Sequence, residues 1–506
     1  MALNGVFSWF ITKRVHQIDL FKKHPIEVQD ELLSYLIEES GATRFGFEHN
    51  FQKIKNAADF RKNVPIRSYE AFRPYIDLIK DGEDKVTWDT KVKWFAKSSG
   101  TTDNQSKYIP VTPESLEECH YKGGKDLLSL YYYLNPQARL YDGKTLVVGG
   151  ASKISNDHSG KLIGDLSAII IDNLPIWVES KRTPAKEIAL MDNWEDKLEA
   201  MALATMNENV TNIAGVPSWT LLLLQRICHK KKVKTIKEVW PNLELYMHGG
   251  ISFLPYRQQF DAIMGEPIHY METYNASEGF FGIQDELGSD EMLLMLDYGI
   301  YYEFIPAEYW HSEQPQAIGL ADVEVGKNYA VVISTNGGLW RYMIGDTIRF
   351  TSTYPFRFQI SGRTKQYINI AGEELIVENA ESALNKTCRA HNCQVTEYTV
   401  GPIITAEKSQ IAQHHWIIEF LHAPDNLNQF SHDLDKNLQA INSDYEAKRK
   451  GNLNLLPLQI ESVPVNTFLL WMKSRGKLGG QNKVPRLHPT DEYIQSIQNF
   501  IHLPLP

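Results

Sequence analysis

The sequence predicts an α/β protein: a large N-terminal α/β domain with a mainly parallel sheet and a small β-subdomain, followed by a smaller α+β domain. Three observations predict it. The first ninety residues are patterned for helix, with Val28, Leu32, Leu33 and Leu36 spaced to share one buried face. From about 145 onward, short β-rich runs alternate with helical stretches, the pattern of strands joined by crossover helices. After ISGRTKQYINIAGEEL at 360–375 the character changes again and stays changed.

The β-rich runs are TLVVGG, NIAGV, LELYMHGG, IHYMETY, EMLLMLDYG, YYEFI and YAVVIST, and the helical stretches between them include 193–207 and 218–230. Strand signals crowd together over 290–360 with little helix between them, which suggests the small β-subdomain. Beyond it, a helix is expected over 376–390, strands at CQVTEYTV and HWIIEFL, and a second helix. In that helix Phe430, Leu434, Leu438, Ile441 and Tyr445 step by four, four, three and four to make one apolar face. There is no internal repeat and no low-complexity linker, so the division into 1–362 and 363–506 rests on the change of pattern.

Composition narrows the function classes. At 506 residues the chain is long for a single core. Apolar residues at 43% and charged residues at 23% describe a globular protein. A formal charge of -10 disfavours a nucleic-acid binder, which needs clustered Lys and Arg; the run HKKKVKTIK at 229–237 reads as a solvated helix end. The N-terminal apolar run has no basic start, no small-residue cleavage site and too little length to cross a bilayer, so a cytoplasmic location and no membrane partner are expected. Four cysteines are too few for a disulfide framework. CRAHNC brings Cys388, His391 and Cys393 close together, but without zinc-knuckle spacing or a second pair.

Five stretches can carry chemistry. KSSGTTDNQSK at 97–107 reads equally as a loop of turn-forming residues and as a cradle for phosphate oxygens, with Ser98, Ser99, Thr101, Thr102 and the amides around Gly100 as donors and Lys107 as a point charge. It is not a P-loop, since G-x-x-x-x-G-K-[ST] is absent and Lys107 leads into the strand-like YIPV. HGGISFLPY at 248–256 offers twin glycines that make a turn or admit a flat ring or phosphate. TYNASEG at 273–279 reads as an aromatic core residue before a helix N-cap, or as Tyr274 on a purine with Glu278 holding Mg²⁺. In LWRYMIGDTIRF, Gly345-Asp346 makes a tight turn or sets a carboxylate against a ribose. GGQNKVPR at 479–486 holds Lys483, ordinarily a solvated lysine. No G-x-S-x-G elbow surrounds a serine, and GVPSW lacks the closing glycine, so hydrolase chemistry falls away.

Taken in order, SSGTT…K, GG, Y-x-x-SE, GD, GR and a late Lys resemble the core motifs of the ANL adenylate-forming superfamily. Within it the chain is most similar to the Gretchen Hagen family of auxin-responsive acyl acid amido synthetases, in its bacterial branch. FGFEHNF, DFRKNVPIRSYEAFRPYI, GVPSW, HGGISFLPYR, INSDYEAKR and QNKVPR spread the likeness over nearly the whole chain. The resemblance implies a large N-terminal domain, a smaller mobile α+β C-terminal domain, and ATP-dependent activation of a small carboxylic acid as acyl-AMP, then attack by an amino acid amine. It implies ATP and Mg²⁺ as cofactors, with Ser98, Ser99, Thr101, Thr102 and Lys107 at the phosphates, Gly249, Gly250 and Tyr274 at the adenine, and Ser277 and Glu278 at the nucleotide and Mg²⁺. It further implies Asp346 at the ribose, Arg363 at the domain junction, Lys365 as hinge and Lys483 as the catalytic lysine. One departure stands out: where the plant pattern is similar to YRYRLGD, this chain has WRYMIGD, so Arg341 matches while Met343 replaces the second arginine. The chain is also shorter than the plant members.

Overall fold

The structure is a computed structural model that describes the chain except residues 1, 99–106, 150–154, 157–159, 175, 192, 255, 311, 313, 365, 369, 371–372, 374, 404–412, 450–454, 479–482 and 503–506. Its contacts divide into two compact units. One comprises Met1–Ile251, Gln259–Ile344 and Ile348–Gln359; the other comprises Ser252–Gln258, Gly345–Thr347 and Ile360–Pro506.

The strands in chain order are β1 (Trp94–Ser98), β2 (Lys107–Val111), β3 (Lys144–Val148), β4 (Ser155–Asn156), β5 (Leu162–Gly164), β6 (Arg182–Thr183), β7 (Val210–Gly215), β8 (Leu245–Gly249), β9 (His269–Ala276) and β10 (Gly279–Ile283). They continue with β11 (Met292–Leu294), β12 (Ile300–Pro306), β13 (Asn328–Thr335), β14 (Tyr342–Thr353), β15 (Phe356–Arg363), β16 (Tyr367–Ile368), β17 (Leu375–Ile376), β18 (Gln394–Ile403), β19 (Gln413–His422) and β20 (Gln459–Val463).

Eleven of these strands form one sheet in the order β12-β13-β14-β15-β11-β10-β9-β8-β7-β3-β6. Its β6-β3-β7-β8-β9 half is parallel, each pairing separated by a crossover. The strand-dense run of 290–360, read from sequence as a small β-subdomain, is joined edge to edge to that parallel half. Around it neighbouring strands are antiparallel, as in β9–β10, β10–β11 and β12–β13, and the connections after β9 and β10 are too short for a parallel crossover. A second sheet, in the order β2-β1-β5-β4, carries the hydroxyl-rich stretch.

Local chemistry explains the helix boundaries. Pro25–Ser40 opens on a proline at its first turn and buries Leu33 and Leu36, with Val28 and Leu32 packed at the edge of the same core. Pro217–Lys231 starts on the proline of GVPSW and closes on Lys232 in the left-handed region (φ 56°), with His229, Lys230 and Lys231 at its negative dipole end.

The second unit is built on a sheet in the order β18-β19-β20. Alternate residues of β19 feed opposite faces: Trp416 and Ile418 join a core with the helices Val377–Ala390 and Leu427–Ile441, while Ile417 joins Phe468, Trp471 and Ile497. The apolar face expected from Phe430 to Tyr445 is broken near its end. The helix stops at Ile441, which is exposed, because Asn442 turns extended and its side chain accepts from the Tyr445 amide at 2.8 Å to start the next helix, Ser443–Arg449. Tyr445 is buried from that second helix, donating to Asp435 at 2.7 Å.

Candidate active site

The hydroxyl stretch lies in the connection between β1 and β2. Ser98 and Lys107 are directly paired across that antiparallel ladder, so the stretch leaves and re-enters the sheet at one point. Ser99, Thr101 and Thr102 lie outside the described residues. Lys107 opens β2, as the strand-like YIPV suggests, with its ammonium 5.6 Å from the Tyr69 ring centre. The Tyr69 hydroxyl accepts from the Tyr108 amide at 2.9 Å, which fixes the start of that strand.

Gly249 closes β8 opposite Thr273 of β9, and a Cβ there would stand 2.3 Å from the Thr273 carbonyl oxygen. Its lack of a side chain is thus required by the sheet itself. Gly250 has φ 82°, a conformation that favours glycine. Tyr274 is buried on β9, its ring 4.7 Å from Phe281 and 6.1 Å from Phe358 between centres, so most of its surface is spent on the core. Sequence reasoning allowed a helix N-cap at Ser277-Glu278. The structure has instead a two-residue hairpin turn between β9 and β10, with Ala276 and Gly279 paired. Ser277 Oγ is buried and finds no hydrogen-bond partner among the described residues, which suits a polar ligand. Glu278 is only half-buried. No cluster of three His, Cys, Asp or Glu suited to a metal occurs among the described residues. A single carboxylate such as Glu278 is the kind of ligand Mg²⁺ takes alongside substrate phosphates.

The stretch LWRYMIGD divides into two parts. Arg341 is buried at φ 41°, and its guanidinium donates four hydrogen bonds: Nε to Glu303 Oε2 at 2.7 Å, Nη2 to Glu303 Oε1 at 3.0 Å, and Nη1 to the Val64 and Arg61 carbonyls at 2.7 and 3.1 Å. Met343, where the plant pattern has arginine, packs on the apolar cluster Ile305, Ala330 and Val332. A charge there would meet apolar surface.

Asp346 belongs to the second unit. There Gly345–Thr347 lies alongside Ser361–Thr364: the Thr364 amide donates to the Gly345 carbonyl at 2.9 Å, and the Ser361 hydroxyl meets Thr347 Oγ1 at 3.0 Å. That pairing sets Arg363 Nε 2.8 Å from Asp346 Oδ1, with the carboxylate buried and the guanidinium 39% exposed. Lys365 lies outside the described residues. Lys483 joins the same charge cluster. Desolvation by the surrounding protein, and then the Arg363 guanidinium, lower its pKa to about 8, while Asp346 acts to raise it. The residue as a whole keeps exposed area while its ammonium is crowded by the surrounding protein.

Sequence reasoning missed two features. Leu116–Tyr121 is a π-helical turn, a form that LEECHY does not announce and one frequent at functional sites. It packs on the Ser277-Glu278 hairpin: Cys119 Sγ accepts from the Phe280 amide at 3.1 Å, and His120 Nδ1 lies 3.2 Å from Asn275 Oδ1. Burial drives the His120 pKa down to about 4, so its ring is neutral at physiological pH. The second is Arg486, three residues past Lys483, which pairs with Glu397 and lies 3.8 Å from Glu381. His391 of CRAHNC bonds Asp433 at 2.9 Å.

Three family descriptions match consecutive parts of the chain: "GH3 family N-terminal domain" over 14–268, "GH3 family central domain" over 293–363 and "GH3 family C-terminal domain" over 378–492. Among curated proteins, the indole-3-acetic acid-amido synthetase GH3.15 of Arabidopsis thaliana is 23% identical, covering 93% of this chain and 92% of its own. Among solved structures, GH3.15 acyl acid amido synthetase superposes with a TM-score of 0.77 at 20% identity, over 94% of this chain and 93% of that one. A 2-hydroxyisobutyryl-CoA ligase superposes at 0.56 with 12% identity, over 97% and 91%. The fold is thus that of the adenylate-forming ligases.

Proposed function

The chain belongs to the GH3 family, and on that premise we propose that it is an ATP-dependent acyl acid amido synthetase. It activates a small carboxylic acid as acyl-AMP with release of pyrophosphate, then passes the acyl group to the amine of an amino acid and releases AMP. The observation that carries this reading is the meeting of three motif residues: Asp346 and Arg363, from the adjacent strands β14 and β15, are ion-paired, and Lys483, from much later in the sequence, feels both.

The chemistry follows from charge. A carboxylate is a poor electrophile, and adenylation gives it a good leaving group. As its oxygen attacks the α-phosphorus in line, negative charge gathers on the phosphate oxygens, and fixed donors and cations there lower the barrier. Lys483 bridges the attacking carboxylate and the α-phosphate and neutralises both as they meet. Asp346 accepts the ribose hydroxyls, and Arg363 holds its carboxylate in place. The hydroxyls of Ser98, Ser99, Thr101 and Thr102, with Lys107, receive the β- and γ-phosphates. Gly249 closes β8 against Thr273 and Gly250 turns the chain beyond it, so that backbone meets the adenine beside the packed ring of Tyr274, and Ser277 Oγ supplies a donor to the nucleotide. Glu278 would hold Mg²⁺, which would supply charge neutralisation for the departing pyrophosphate. Lys365, just past β15, is the hinge through which Lys483 is delivered and withdrawn. The four free cysteines are consistent with a reducing, cytoplasmic setting, and no described helix is long and apolar enough to cross a membrane.

The test is a mass-spectrometric screen of mixed carboxylic acids and amino acids with ATP and Mg²⁺, run beside coenzyme A as acceptor. AMP together with an amide conjugate is expected. An acyl thioester in its place would make the protein a coenzyme A ligase, the second reading, which shares the adenylation step and the fold of the 2-hydroxyisobutyryl-CoA ligase. Absence of ATP–pyrophosphate exchange over a broad acid panel would leave a nucleotide sensor without turnover.

A further inference from the structure

We infer that Arg486 is a positioning residue for Lys483, anchoring the segment that ends in the lysine to the strip Ser252–Gln258 that follows the twin glycines. This rests on the role given to Lys483 above. Residues 483–485 form no helix or strand of their own, so other groups must fix the lysine. Those groups converge two and three residues later. Thr399 Oγ1 donates to the Pro485 carbonyl at 2.6 Å, the Val400 amide donates to the Arg486 carbonyl at 2.9 Å, and the His488 amide returns to the Val400 carbonyl at 3.0 Å. The segment therefore runs as a short parallel addition to β18, with Val400 bridged to Leu487.

The Arg486 side chain holds this addition from the other side. It pairs with Glu397, donates to the Tyr398 carbonyl at 3.3 Å, lies 4.6 Å from the centre of the Tyr398 ring and stands 3.8 Å from Glu381. Glu381, buried on the helix Val377–Ala390, also takes a hydrogen bond from Ser252, and the buried Tyr256 bonds Arg486. Ser252 and Tyr256 come from the strip just past Gly249-Gly250. One guanidinium thus joins the glycine motif's downstream strip, the helix Val377–Ala390, β18 and the lysine's own segment. Three extended residues reach about 10 Å at most, so the anchor limits where the Lys483 ammonium can go. A planar fork is suited to this task, and a lysine in its place would keep the charge but lose the geometry.

Hydrogen exchange on the full-length protein tests the anchoring without any substrate. In Arg486→Gln the amides of Val400 and His488 are expected to exchange at least about tenfold faster, while Trp416 and Ile418 in the core of β19 keep their protection. Unchanged exchange at Val400 and His488 would overturn the inference. Kinetics then separates positioning from a general structural role. Arg486→Gln is expected to slow acyl-AMP formation about tenfold to a hundredfold, with less than about a twofold change in KM for ATP and in amide formation from supplied acyl-AMP. Arg486→Lys, the milder variant should the first unfold, is expected to recover only part of that loss. Equal losses in both half-reactions, or full recovery with lysine, would refute it. If Lys483→Ala itself leaves acyl-AMP formation intact, the role of Lys483 is wrong, and the exchange data still decide whether Arg486 anchors the segment.

Discussion

Arg341 in the first unit and Arg363 in the second each pair with a carboxylate, yet the two pairs differ in kind. Arg341 is buried, sits at a positive φ that a side chain rarely adopts, and donates two hydrogen bonds to Glu303 and two to backbone carbonyls. Arg363 makes its ion pair to Asp346 from a side chain that remains 39% exposed, and its charge reaches Lys483. Packing accounts for the first completely and for the second hardly at all. Two arginines from neighbouring motifs thus teach that a residue matching a family pattern can be held there by the fold, and that the better candidate for a site role is the one the fold leaves partly exposed.

The sharpest break in that comparison is Arg341→Ala. It strips a buried carboxylate of its bidentate partner and leaves Glu303 with Arg61 at 3.1 Å, so a loss of about 3–5 kcal/mol is expected in denaturant unfolding. The folded fraction should keep its KM for ATP. A large rise in that KM with stability preserved would move Arg341 to the site and dissolve the contrast. Next in size, Lys483→Ala should slow acyl-AMP formation about 10²–10³-fold while amide formation from supplied acyl-AMP changes far less. Smaller again, Asp346→Ala should raise the KM for ATP about tenfold through lost charge-assisted bonds to the ribose. An unchanged ATP dependence would mean the ribose lies elsewhere.

How far this was legible in the sequence depends on what each residue answers to. Strands such as TLVVGG and LELYMHGG were readable because a buried parallel strand is a short apolar run, and their helices because caps and prolines mark the ends. The Asp346, Arg363 and Lys483 motifs were named through resemblance; Asp346 and Arg363 come from the adjacent strands β14 and β15, and spacing alone does not say that Lys483 comes near them. The merging of the 290–360 strands into the main sheet was not readable, because hairpin patterning fixes neighbours but not which sheet edge receives them. Nor was the role of Gly249, whose need arises from Thr273 on the adjacent strand, or the π turn at Leu116–Tyr121, which has no sequence signature. Arg486 stood beside a motif lysine and gave no sign of itself, since its partners Glu381, Glu397 and Tyr256 are brought to it only by the fold.

The finest distinction between the two arginines is electrostatic, and pH reads it. With a pKa of about 8, the Lys483 ammonium is mostly charged at neutral pH and half lost at pH 8. Adenylation should then fall by about tenfold per unit on the alkaline side. Two opposing influences set where that limb lies. Arg363 lowers the lysine's pKa, so Arg363→Gln should move the limb to higher pH; Asp346 raises it, so Asp346→Asn should move it to lower pH. Arg341, whose charge is spent on Glu303, should leave the limb where it is when replaced by lysine. Lys483→Arg carries a charge that does not titrate in this range, so its residual activity should lose the alkaline limb altogether. If that limb persists in Lys483→Arg, another group titrates there, and the cluster around Asp346 is an ordinary surface ion pair of the same kind as many others in the chain.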